Sequence, residues 1–259
     1  MATYNKRGYK APKPVSDVEE VEPVEIIDDS NSTTAGVFNS LDEGANRTEE
    51  WVAKNQKWIY IVVGVLALAA IGYVLYDKFV KEPAEATAAN DMYQAEQYFM
   101  QAVDAPAAND SLFNLALNGG EGKLGFLGII ENHSGTDAAN LAHYFAGMAY
   151  ANTGKYKEAV SQLDEFKSTE ETLNAQALGV KGDCFAQLKQ NNDALEFYVK
   201  AAGASENDFT TPYWLFKAGN MALASNKKAE ALKYFQEIKD KYETSAQGAN
   251  IDAFIAMTE

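Results

Sequence analysis

The stretch NGGEGKLGFLGIIE, residues 118–131, sets Gly120, Gly122 and Gly125 in the spacing G-x-G-x-x-G. Glycines so spaced can hold a pyrophosphate, because they let the backbone approach the phosphates while the free N–H groups of a following helix meet the charge. That chemistry needs a strand ahead of the glycines and a parallel βαβ unit around them. SLFNLAL, before Gly119, has the length of a short strand, and Asp137 stands downstream where an acid could meet a ribose. No second strand pattern follows. A P-loop is excluded more directly, since Lys123 is followed by Leu124 rather than Ser or Thr, and Leu117 stands five before Gly122. The glycines are therefore read as a tight connection between helices.

Other reactive residue types are sparse. Cys184 is the only cysteine, which excludes an intrachain disulfide and any multi-cysteine metal site. Beside Gly182 and Phe185 it reads as a small core residue. His133 and His143 belong to no H-x-x-x-H pair, so zinc chemistry has no ligand set. The acid pairs Asp164–Glu165 and Glu170–Glu171 fall at helix ends or on outward faces, where charge is solvated. The expectation is a non-enzymatic protein with no cofactor. A net charge of −15 over 259 residues also argues against affinity for nucleic acid, whose phosphates need clustered Lys and Arg.

One element dominates the amino-terminal third. WIYIVVGVLALAAIGYVLY, residues 58–76, is nineteen residues without a charge. At about 1.5 Å per residue it nearly matches the hydrocarbon thickness of a bilayer. Trp58 and Tyr60 at one end and Tyr73 and Tyr76 at the other are the aromatics that settle at headgroup level. Gly64 and Gly72 give the span small surfaces, but no small-xxx-small pair supports self-dimerisation. The run starts too far from residue 1 for a cleaved leader and reads as a signal anchor in an amphipathic lead-in and span over residues 46–81, with the N-terminus cytoplasmic and residues from about 82 exported. Residues 1–45 read as a disordered acidic tail, with ordering resuming at Thr48 as a helix N-cap. The basic opening, with Lys6, Arg7, Lys10 and Lys13 among Tyr4 and Tyr9, could touch lipid headgroups or, weakly, a ribosome.

The rest of the chain repeats. Gly147, Gly182 and Gly219 recur at intervals of 35 and 37 residues. Twelve after each comes Ala159, Ala194 or Ala231, and four further on Leu163, Tyr198 or Phe235. Small residues on both members of a helix pair allow close backbone approach, and the large residue fills the space between neighbouring pairs. This resembles the tetratricopeptide repeat, with its small eighth, alanine twentieth and large twenty-fourth positions. The consensus tryptophan is replaced by His143, Leu178 and Leu215, and the terminal proline is missing. The fold class is thus all-α: a repeat solenoid with one transmembrane helix. Residues 82–139 form a helical linker and degenerate first unit, and residues 140–259 form three repeats and a capping helix.

Such arrays bind along the face lined by the first helix of each pair. That face should carry Leu141, Tyr144, Met148 and Asn152, then Gln176, Asp183 and Gln187, then Tyr213, Phe216 and Asn220. It is aromatic and amide in character, and lacks the lysines with which some relatives clamp acidic peptide tails. Residues after Lys81 comprise 25 acidic and 13 basic side chains, a balance of −12, which disfavours acidic partners.

Tail, anchor and repeat domain together resemble the YfgM-type ancillary subunit of the bacterial Sec translocon. The segments ALNGGEGKLGFLGIIENHSGTDAANLAHYFAGMAY and FTTPYWLFKAGNMAL are similar to forms from Bacteroidetes-type envelopes. The resemblance covers roughly residues 45–259. It implies an inner-membrane adaptor that partners Sec translocon subunits and a membrane-anchored prolyl-isomerase-like chaperone and helps exported nascent chains to fold. It brings no catalytic residue. A structural scaffold for envelope or cell-wall assembly is the alternative.

Overall fold

The computed structural model describes residues 33–106 and 109–259, and the described residues divide into two units after Ala70. The basic opening and most of the acidic tail lie outside the described residues.

Helix α1 runs without a break from Thr33 to Tyr76. Helix already occupies the fifteen residues before Thr48, and Thr48 is not a cap: its hydroxyl donates to the Gly44 carbonyl one turn back, at 2.8 Å. The sequence is compatible with this, because nothing between Thr33 and Lys57 is a proline and Gly36 and Gly44 are isolated. Within the unit that ends at Ala70, Trp58, Tyr60, Val62 and Leu66 are all more than half exposed. Apolar exposure on every face is what a helix needs when its solvent is lipid. Among the described residues one helix is long and apolar enough to cross a membrane.

After a five-residue π-helical stretch, Asp77–Lys81, helices follow in close succession: α2 (Glu82–Asp104), α3 (Asp110–Asn118), α4 (Phe126–Asn132), α5 (Asp137–Asn152), α6 (Tyr156–Glu165), α7 (Glu171–Gln187), α8 (Asn191–Ala204), α9 (Thr210–Ala224), α10 (Lys228–Lys241) and α11 (Ile251–Ala256). No strand occurs among the described residues. Helices α5–α6, α7–α8 and α9–α10 are antiparallel pairs built on one contact. A β-carbon at Gly147 would stand 2.5 Å from Leu163 Cγ, one at Gly182 2.7 Å from Tyr198 Cδ1, and one at Gly219 2.3 Å from Phe235 Cε1. The glycine is what lets the large residue of the second helix lie against the first. Ala159, Ala194 and Ala231 are wholly buried beside these contacts.

Both ends of the stack are covered. At the front, Phe99 of α2 meets Phe113, Phe126 and Phe145 edge-on, with ring centroids 5.2 to 6.1 Å apart. Each such pair is worth about 0.5–1.5 kcal/mol beyond its buried area. The Glu85 carboxylate reaches from α2 to accept from the Asp137 N–H with both oxygens at 2.9 Å, adding a cap to α5 beside Thr136. At the back, Phe254 of α11 packs on Phe216 and Phe235 at 4.6 and 5.6 Å.

Candidate protein-binding groove

The G-x-G-x-x-G segment is a hinge between helices. SLFNLAL is helical, as part of α3, so the strand that a dinucleotide site requires is replaced by a helix. The Gly119 N–H closes α3 on the Leu115 carbonyl at 2.8 Å with φ 85° and ψ 175°, a region open to glycine alone. Gly125 lies against the backbone of the same turn: a β-carbon there would be 2.3 Å from Gly119 N. Gly119 and Gly125 therefore press on each other's backbone and close the turn between α3 and α4.

The first helices of the three pairs share a cavity of about 480 Å³. Five of the expected residues line it: Met148, Asn152, Gln176, Asp183 and Gln187. Tyr213, Phe216 and Asn220 line a second, of about 430 Å³. The two share Tyr198 and Lys217 and so form one groove along α5, α7 and α9. Leu141 and Tyr144 line neither. Tyr144 is 8 % exposed, packed on Phe145 and Phe166 at 5.5 and 5.2 Å, and Leu141 packs into both adjoining core clusters. Helix α5 is unlike its counterparts because α2, α3 and α4 also pack on it. Leu141 packs against that added layer as well, while Tyr144 is covered from the other side by Phe166.

Two residues at the join were absent from the sequence expectation. Lys217 Nζ donates to both oxygens of Asp183 at 2.6 and 2.8 Å, and the Tyr198 hydroxyl donates to Asp183 Oδ1 at 2.6 Å. One carboxylate thus ties α7, α8 and α9. Burial, and next the bond to Asp183, push the Tyr198 phenol well above its ordinary range, so it remains a donor at every physiological pH. Lys217 also lies 5.1 to 5.6 Å from the ring centres of Tyr213, Trp214 and Tyr198. Its signal in the sequence was indirect: it stands four after Tyr213, on the same helical face, while Tyr198 had already been assigned to packing. Being half-exposed, the pair contributes on the order of 1 kcal/mol. Its larger consequence is that the one lysine in the groove is already neutralised.

Cys184 sits under this groove, 1 % exposed. Burial, reinforced by the Asp183 charge, pushes its thiol up to about 12, so at neutral pH it is not a nucleophile. A third cavity, about 500 Å³, opens beyond Tyr213 between Asp208–Thr210 and Thr244–Gln247. Trp214 lines it, with its ring against Gly179 and its Nε1 buried without an acceptor among the described residues.

Stacked helix pairs that leave one row of helices open as an amide- and aromatic-lined groove define a helical-repeat fold for binding proteins, non-catalytic in kind. The sequence matches the tetratricopeptide repeat over residues 142–168 and 175–208, so α5–α6 and α7–α8 are tetratricopeptide repeats. The pair α9–α10 lies outside the matched ranges yet repeats the same glycine-to-aromatic contact. No curated protein matches the chain in sequence.

Proposed function

We propose that this protein is a non-enzymatic adaptor in the bacterial inner membrane, held by α1 with its N-terminus cytoplasmic and its repeats periplasmic. At the Sec translocon it binds a membrane-anchored prolyl-isomerase-like chaperone and assists exported chains. The observation that carries this reading is one chain holding both an uncharged nineteen-residue apolar helix and tandem repeats with an open groove. An anchor confines the groove to the bilayer surface, where chains emerge from a translocon. The groove holds no unpaired lysine, which favours neutral or basic segments over acidic tails.

Affinity purification through a C-terminal tag in mild detergent, with mass spectrometry, tests it. Wild type is compared with Tyr213→Ala/Asn220→Ala, two exposed or half-buried groove residues whose loss leaves the Phe216–Phe254 contact intact. Co-purifying Sec subunits and a chaperone support the reading, and selective loss of the chaperone in the variant assigns it to the groove. Recovery of cell-wall or envelope assembly proteins without Sec subunits would replace it with the scaffold reading.

A further inference from the structure

The cavity beyond Tyr213 has a chemistry of its own. It is lined by Asp208, Phe209, Tyr213 and Trp214, with the amides Gln176 and Gln247 at its margins. No Lys, Arg or His lines it. Phe209 is 86 % exposed and Tyr213 40 %, so two aromatic faces stand open beside a carboxylate.

The exposure of Phe209 is built, not slack. Asn207 Oδ1 accepts from the N–H groups of Phe209 and Thr210 at 2.9 and 2.7 Å. Asn207 Nδ2 donates to Ser205 Oγ and Thr210 Oγ1 at 2.7 and 2.6 Å. Its backbone N–H donates to Thr211 Oγ1, and that hydroxyl donates to the Ser205 carbonyl. Every hydrogen-bonding group of the Asn207 side chain is engaged, and the turn bearing Asp208 and Phe209 is fixed. A turn ordered in advance loses little freedom when something binds to it.

We propose that this cavity is a specificity pocket for an arginine side chain presented by an extended protein segment lying in the groove. The proposal rests on the groove reading above and adds what the segment must carry. Aromatic faces attract a cation through the ring quadrupole, and a planar guanidinium can stack there while its fork of N–H donors reaches the carboxylate. The complementarity is visible on both sides. The pocket carries one uncompensated acid, the residues after Lys81 carry a balance of −12 and contain no arginine, and the groove's own cation, Lys217, is held by Asp183. An aspartate or glutamate in the same place would face Asp208 with no base to answer it.

The test uses the full-length chain in detergent micelles and a fluorescent nine-residue peptide of Ala, Ser and Leu with a central arginine, read by anisotropy. A second peptide carries citrulline, which keeps the shape and removes the charge, and a third carries glutamate. The arginine peptide is expected to bind about tenfold tighter than the citrulline peptide, with glutamate weakest. Asp208→Asn and Phe209→Ala should each erase that preference. Asp193→Asn, the same charge change on an exposed turn of α8, should preserve it. Equal affinity for the arginine and citrulline peptides overturns the pocket while the groove reading stands, and equal losses in Asp208→Asn and Asp193→Asn overturn it in favour of general charge attraction. If none of the three peptides binds, the pocket and the groove reading fail together.

Discussion

Two sets of glycines, one in the connection at 119–125 and one at Gly147, Gly182 and Gly219, do opposite jobs. In the connection at 119–125 the atoms that crowd Gly119 and Gly125 are backbone: Lys123 O and Gly125 N at Gly119, and Gly119 N and the Leu117 carbonyl at Gly125, while Gly120 meets the Leu115 side chain and Gly122 stands open. In the repeats the crowding atoms belong to side chains, Leu163, Tyr198 and Phe235. Only the first set matches a nucleotide fingerprint, and its motif arises because a chain turning on itself between two helices needs the same freedom as a chain wrapping a phosphate. A glycine pattern becomes informative when the partner of each glycine can be named.

The difference predicts which defects can be repaired. Gly119→Ala should have the largest effect, about 3–4 kcal/mol, because it adds a methyl in a backbone region closed to other residues and against atoms that cannot be trimmed. Urea denaturation followed by tryptophan fluorescence would measure it, and no second substitution should rescue it. Gly219→Ala should cost about 2 kcal/mol in the wild-type background. In a Phe235→Ala background the same change should become stabilising by about 0.5–1 kcal/mol, since alanine is then merely the better helix former. A double-mutant cycle reads that reversal of sign, and additivity would remove the close-approach explanation. Gly122→Ala, at φ 76° with nothing within 4 Å, should cost only about 1 kcal/mol.

The smallest effect lies at the start of α7. Glu170 accepts from the Leu173 and Thr172 N–H groups at 2.6 and 3.0 Å, and these bonds, Leu173's first, hold its carboxyl below the ordinary 4.5. A depressed carboxylate contributes stability above its ordinary value and loses it as pH falls through the folded one. Glu170→Ala should therefore lower Tm at about pH 7, and the gap to wild type should narrow as pH falls below the ordinary carboxylate range.

The repeats were legible because their contacts are local in sequence: the glycine and its large partner lie sixteen residues apart in each of three pairs, so periodicity alone exposes them. Cys184 as core followed from the same register. Of the residues expected on the open face, those of α7 and α9 and Met148 and Asn152 of α5 line the two cavities, whereas Leu141 packs also against the cluster of α2–α4 and Tyr144 against Phe166, contacts that the repeat register does not specify. Lys217 was missed because its meaning depends on Asp183, a residue of the preceding pair. The start of α1 was missed because Thr48 satisfies the local pattern of a cap, while the helix has already formed upstream.

The central claim is that the open row of helices, not the outer row, meets a partner at the membrane. In-cell photocrosslinking measures this most directly, with a benzophenone side chain placed singly at Gln187 or Asn220 in the groove and at Lys233 on the exposed face of α10. The account predicts discrete adducts from the two groove positions, containing a Sec subunit or a membrane-anchored chaperone, and none from position 233. Adducts of equal yield from position 233, or none from the groove positions, would contradict it.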